Sequence, residues 1–189
     1  MKYVCIAALL LVAGCSSVVK FNDGSVAENE NDYYHAGKIL SEEGRFKEAL
    51  ASLEQAARMR DGDDPEHDVE IAFCHMRLGF TARSEADRTR HYQLGIEHAR
   101  RAIEHRGELT APWAMSGFMH LELGDVAAST REYEQAVSMD PTDAKLHWNL
   151  GEAYLAGGNI AAARDSYAKA ALIDQDYAER AEAKLGELR

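Results

Sequence analysis

No Gly-rich phosphate loop, HExxH, CxxC or GxSxG occurs in the 189 residues, so phosphate-cradling, zinc-hydrolase, dithiol and nucleophile-elbow chemistries have no starting point. No enzyme is expected. Long apolar runs are missing too: Val4 to Val12 falls far short of the roughly 20 residues that a helix needs to cross a bilayer. Basic charge is in deficit, 21 Lys and Arg against 32 Asp and Glu for a formal net charge of -11. Such a chain repels phosphate, which argues against a nucleic-acid partner. Cysteine is scarce at three, and Cys74 lies in the apolar helical pattern IAFCHM, where a buried structural thiol is expected rather than a reactive one. What is present is 46% hydrophobic residues, enough for one domain of ordinary core size.

The N-terminus has its own grammar. Met1 and Lys2 form a minimal charged start, the short apolar run follows, and the run ends in Val12-Ala13-Gly14-Cys15. This resembles a bacterial lipoprotein signal, in which small residues at Ala13 and Gly14 admit the peptidase and Cys15 takes the lipid; an ordinary secretory signal is the alternative. Ser16 and Ser17 follow in place of the Asp that would retain a lipoprotein at the inner membrane. The resemblance therefore implies lipid anchoring at the outer membrane, facing the periplasm, if the source is a diderm bacterium. With Cys5 removed and Cys15 lipidated, Cys74 has no partner and no disulfide is expected. Residues 1–14 then form the signal and 15–29 a lipidated tether. The polar stretch from Ser16 to about Asn29 reaches at most roughly 45 Å when extended.

From residue 30 onward the apolar residues recur at helical spacing. The clearest stretch is Ala144 to Gln175, where Leu146, Leu150, Tyr154 and Leu155 form one stripe and Ala163, Tyr167, Ala170 and Ala171 a second. Gly157, Gly158 and Asn159 separate the two as a helix-to-helix turn requires, and Gly151 and Ala163 fall where antiparallel helices would cross. Leu150, Gly151, Tyr154, Gly158, Ala163, Tyr167 and Ala170 meet the pattern of the tetratricopeptide repeat (TPR) family, which this stretch resembles. Gln175 stands where the closing proline is usual. Counting back in steps of 34 gives a unit at 110–143 with Trp113, Gly117, Gly124, Tyr133, Ala136 and Pro141 in the family's places, and Ser116, His120 and Ser129 as polar departures. The first unit, about 30–63, supplies Tyr33, Gly37, Gly44, Phe46, Ala49 and Ala56, with Leu53 at the usual aromatic position.

Residues 65–109 number 45, eleven more than one unit. Asp64 and Pro65 start a helix expected near Glu66 to Leu78, with Ile71, Ala72 and Gly79 in register, and counting back from Thr110 places Gly95, Ala99 and Ala102 in its partner. Ser84 can cap with Asp87 three residues on, so the extra residues are expected to lengthen the second helix at its N-terminus, from about Glu85 to His105. Residues 178–189, amphipathic through Ala178, Ala181 and Leu185, would cap the open end. The expectation is an all-α TPR solenoid of about four helix-turn-helix repeats (30–63, 65–109, 110–143 and 144–177) with a C-terminal capping helix.

Of eight histidines, His91, His98 and His105 are spaced by seven, which puts neighbours about 10 Å apart along a helix, too far to share a metal ion. They are expected to form a solvated stripe, and His75 and His120, at the usual Tyr position, to be packed and hydrogen-bonded. No metal and no cofactor is expected. From Arg77 to Arg106 seven arginines face four acids, and Arg83, Arg88 and Arg90 mark a possible basic surface for lipid head groups or an acidic partner; a helix face solvated by arginine is the alternative.

The TPR resemblance implies that first helices line a concave face, into which the second, fifth, ninth, twelfth and thirteenth residues of each unit point. The fifth, ninth and twelfth are Tyr34, Lys38 and Ser41; Val69, Phe73 and Met76; Ala114, Phe118 and Leu121; and Trp148, Glu152 and Leu155. Its apolar members, Tyr34, Val69, Phe73, Met76, Phe118, Leu121, Trp148 and Leu155, are the expected partner-binding groove, suited to an extended or helical apolar segment of a protein and not to a small-molecule substrate. A carboxylate clamp through Lys145 and Asn149 is not expected, because their counterparts in neighbouring repeats are Val69, Phe73, Ala114 and Phe118. The groove filled by the protein's own terminal helix or tether is the alternative. A small lipid-anchored repeat protein with such a groove is similar to the pilotin-like TPR lipoproteins of type IV and Tad pilus systems. This implies a scaffold that assists assembly or localisation of a pilus or secretin machine. An adaptor recruiting peptidoglycan enzymes is the second reading.

Overall fold

The computed structural model describes residues 26–187. The signal, Cys15 and most of the tether lie outside the described residues. Among those described, the chain forms nine α-helices: α1 (Glu30–Glu42), α2 (Phe46–Met59), α3 (Pro65–Thr81), α4 (Glu85–His105), α5 (Thr110–Glu122), α6 (Val126–Met139), α7 (Ala144–Ala156), α8 (Ile160–Ile173) and α9 (Ala178–Glu187), with a short 3-10 turn at Gln175–Tyr177 before the last. None of these helices is long and apolar enough to cross a membrane. The helices divide into two compact units, one ending at His105 and one beginning at Arg106.

Local chemistry fixes most boundaries. Asn29, Asp64, Ser84, Asp125, Asp143 and Asn159 each accept, through a side-chain oxygen, a backbone N–H of the helix they precede. Three hairpins share one turn. In α1–α2, α5–α6 and α7–α8 a glycine in the left-handed region, at φ 77°, 81° and 75°, follows the first helix. The next N–H reaches back five residues, from Arg45 to the Leu40 carbonyl, Asp125 to His120 and Asn159 to Tyr154, at 2.8–2.9 Å.

In the first unit α1 pairs with α2 and α3 with α4, while α2 packs on α3. Leu40, Leu53, Ile71 and Cys74 lie in its core. Ala27 is also buried there and Asn29 caps α1, so these residues, expected in the tether, are part of the folded unit. In the second unit α5 pairs with α6 and α7 with α8, α6 packs on α7, and α9 lies on α8. A glycine meets a bulky residue at each crossing: a Cβ on Gly37 would come within 2.6 Å of Leu53, and one on Gly151 within 2.6 Å of Tyr167. Tyr133 sits on Gly117 in the same way.

The α3–α4 hairpin departs from the others. α3 has 17 residues and α4 has 21, against 13 and 14 in the other hairpins. α4 has the expected bounds, Glu85–His105, and takes seven of the eleven extra residues; the other four lengthen α3, which runs to Thr81 and past the expected end near Leu78. Gly79, in register with the turn glycines, lies instead inside α3, where its missing Cβ makes room for Tyr92, which would stand 2.5 Å away. Extending both helices adds a crossing layer with its own glycine and tyrosine. The turn that follows uses Ala82 in extended conformation and the Ser84 cap rather than a left-handed glycine.

Candidate functional site

The expected inner-face residues fall in both units. On the first, Tyr34, Val69, Phe73 and Met76 are half-buried on α1 and α3. The Tyr34 ring lies 4.2 Å from that of His67, with the Lys38 ammonium 5.7 Å from its centroid. Burial, with Glu70 and Glu66 nearby, pushes the Tyr34 hydroxyl up to about 12. Phe73 meets Phe46 edge to face with centroids 6.0 Å apart. These two rings line a cleft of about 470 Å³ between the first hairpin and α3, together with Lys38, Glu42, Glu70 and Arg77. Lys38 and Glu70 form an ion pair at 3.6 Å.

On the second unit Phe118 and Leu121 are half-buried on α5, and Phe118 packs beside Tyr133, Leu150 and Ala153. Trp148 is placed differently from the open position expected of it. Only 8% of it is exposed, because the C-terminal segment covers it: Tyr177 approaches with ring centroids 5.7 Å apart and the Arg180 guanidinium lies 4.3 Å over the indole. Leu155 is half-buried in the same cluster, beside Tyr177 and Leu185. The apolar surface of α7 is thus largely taken by α9 and the turn before it, whereas among the described residues no such segment lies over Tyr34, Phe73 or Phe118.

The histidines correct the sequence reading. His91 and His98 do not form a solvated stripe. His91 Nδ1 is 3.0 Å from His75 Nδ1, and His98 Nδ1 is 2.6 Å from Asp68 Oδ1, with the His75 and His98 rings stacked at 6.0 Å. The heptad spacing does place them on one face of α4, but that face is turned toward α3 instead of toward water. His105 pairs with Asp63 at 3.3 Å. Burial, reinforced by the neighbouring imidazoles and Arg90, lowers His75 to about 4, and burial lowers His91 as well. Among the described residues no three His, Cys, Asp or Glu side chains come together as a metal site.

His75 and His120 are packed, as expected. His120 is held by Glu132 at 2.8 Å, which raises its pKa, and Ser116 Oγ lies 3.5 Å away. Both contacts fall on Nδ1 and Ser116 is buried, so the three cannot relay a proton from a serine nucleophile. Cys74 is buried and its thiol, raised to about 11 by burial, donates to Ser41 Oγ at 3.6 Å. Of the arginines expected as a basic surface, Arg83 and Arg90 are exposed, while Arg88 is bound to Glu85 at 3.2 Å.

Phe46 and Arg77 are not among the expected inner-face residues, although the sequence places the first in the repeat pattern and the second in the arginine-rich run. Arg77 is the thirteenth residue of its repeat, an inner position that the apolar criterion skipped. Phe46 opens a second helix and carries no inner-face signal.

Two family models described as tetratricopeptide repeat match the chain, over residues 33–63 and 120–182. No curated protein matches its sequence. Among solved structures, MamA (41-end) from Desulfovibrio magneticus RS-1 is similar at 18% identity, over 86% of this chain and 94% of that one, with TM-score 0.68. YrrB, described as a TPR protein with an unusual peptide-binding site, is similar at 21% identity over 82% and 74%, with TM-score 0.68. A thermophilic TPR protein of Thermus thermophilus is similar at 18% identity over 82% and 98%, with TM-score 0.58. At these identities the likeness is one of fold. The family models cover α1–α2 and the stretch from the end of α5 through α8, and the described helices have the fold of the solved tetratricopeptide-repeat structures.

Proposed function

We propose that this protein is a lipid-anchored interaction scaffold of the bacterial envelope, tethered at the outer membrane through Cys15. On this reading it assists assembly or localisation of a pilus or secretin-type machine by holding an apolar segment of a partner. The observation that carries the binding half is the half-buried aromatic side chains of each unit, Tyr34 and Phe73 on α1 and α3 of the first and Phe118 on α5 of the second, whereas Trp148 of α7 lies under the C-terminal helix. Apolar surface of this kind on a repeat protein marks a partner site. The solved relative with a peptide-binding site has the same fold, which supports a peptide as guest. The anchor half is carried by Val12-Ala13-Gly14-Cys15 alone.

Each half has its own test. Affinity capture from cells with Phe73→Asp plus Phe118→Asp should lose the partners held by the unaltered chain, and capture of the same partners would refute the binding surface. Cys15→Ser should abolish labelling by a radiolabelled fatty acid, and labelling at the original level would refute the anchor.

A further inference from the structure

The cleft of the first unit contains one group whose chemistry is incomplete. Lys38, on α1, is engaged by Glu70 at 3.6 Å. The guanidinium of Arg77, on α3, forms no ion pair and no hydrogen bond among the described residues, and its Nε is buried without an acceptor. Its guanidinium is held instead by aromatic faces, 5.4 Å from the Phe46 centroid and 6.0 Å from that of Phe80. A guanidinium so fixed keeps its charge, loses part of its hydration and retains N–H donors in a planar fork that matches a carboxylate. Beside it, the edge-to-face pair of Phe46 and Phe73 offers an apolar floor within the same cleft of about 470 Å³.

We infer that Arg77 is a carboxylate-docking residue, and that the cleft takes a partner segment in which one Asp or Glu adjoins an aromatic or aliphatic side chain. The carboxylate meets the Arg77 fork and the apolar neighbour lies on Phe46 and Phe73. Charge narrows the guest further. Glu42, at the end of α1, lines the cleft as an exposed carboxylate that makes no ion pair among the described residues, and Glu70 already holds Lys38. A run of acids would meet both glutamates and a body of net charge -11, so the site selects a single acid in an apolar context over a polyacidic segment. This assignment rests on the reading of the inner face as a partner site, and names what its first unit recognises.

The test is selection of a phage-displayed random peptide library on the full chain in detergent, followed by affinities of the synthetic winners. The expected winners carry Asp or Glu beside an apolar residue, and lose about tenfold or more in affinity when that acid becomes its amide. Arg77→Met, which keeps the stem over the aromatic rings, should give a similar loss, and the two changes together should cost little more than either alone. Arg77→Lys should retain part of the preference, and unaltered thermal melting of both variants shows that the fold is intact. Winners without an acid, or an acid-to-amide change without effect, overturn the carboxylate assignment while the groove reading stands. Recovery of no peptide overturns both.

Discussion

In α7–α8 the tyrosine at the crossing, Tyr167, rests on Gly151, sends its hydroxyl to Glu152 at 2.9 Å, and lies in a cluster of Trp148, Ala163 and Ala170. In α3–α4 the tyrosine of the added layer, Tyr92, rests on Gly79, and the α3–α4 interface also carries Asp68, His75, His91 and His98. The first hairpin turns on a left-handed glycine and follows the repeat pattern throughout. The second turns on an extended alanine and is longer in both helices. A glycine under a tyrosine is what the two share, and α1–α2 keeps the same contact with Leu53 over Gly37, so a glycine beneath a bulky side chain is the common element. Everything around it is free to vary, and in α3–α4 the variation has introduced titratable groups into a packed interface. Of these four groups, His91 alone lies in the added length; Asp68, His75 and His98 fall within the 13 and 14 residues that the other hairpins also have, His75 at the usual Tyr position.

Truncating the shared contact should break both hairpins alike. Tyr92→Ala and Tyr167→Ala are each expected to cost about 3–5 kcal/mol in chemical denaturation, and a small loss for Tyr92→Ala would mean that the added layer is not a second core. Acid should then separate the two. His75 is held neutral in the fold, with its pKa lowered from 6.5 to about 4, so as pH falls the unfolded chain binds the proton first. Its contribution is complete above the unfolded value and is lost between about pH 6.5 and 4, by up to about 3 kcal/mol. His75→Phe should flatten that part of the stability profile measured by urea titration, whatever its effect at neutral pH.

Smaller changes probe geometry. Gly79→Ala and Gly151→Ala add one methyl against Tyr92 and Tyr167 and should cost about 1–3 kcal/mol each, read as a lower thermal midpoint. The turns should differ most clearly. Gly158→Ala places a Cβ on a left-handed residue at φ 75° and is expected to cost about 1 kcal/mol. Ala82→Ser keeps an extended backbone that any residue adopts and should leave the midpoint unchanged.

The repeat-encoded parts were legible in the sequence. Gly151, Ala163, Tyr167, Gly44 and Gly124 occupy their roles because each role has one physical solution: a small residue at a crossing, a ring above it, or a residue that tolerates positive φ. Cys74, His75 and His120 were legible through their positions in apolar patterns. The added layer was not, since a count in steps of 34 fixes how many residues are extra and not how two helices divide them. His91 and His98 were misjudged because spacing places them on one face of α4 and says nothing of the neighbour that face meets, here His75 and Asp68 of α3. At Trp148 the alternative reading, cover by the protein's own terminal helix, is the one found; an inner-face position says which way a side chain points and nothing of the later segment that returns over it. Arg77 was left out of the inner face because a cation on a helix reads as solvated until its aromatic neighbours are known.

The central claim is that partners are gripped through the apolar inner side chains of α3 and α5. It is tested most directly by photocrosslinking in living cells, with benzoylphenylalanine placed in turn at Phe73, at Phe118, and at Gln135, an exposed residue of α6. Adducts with another envelope protein from Phe73 and Phe118, absent from Gln135, are predicted. Adducts of equal yield from Gln135, or none from the two phenylalanine positions, would contradict it.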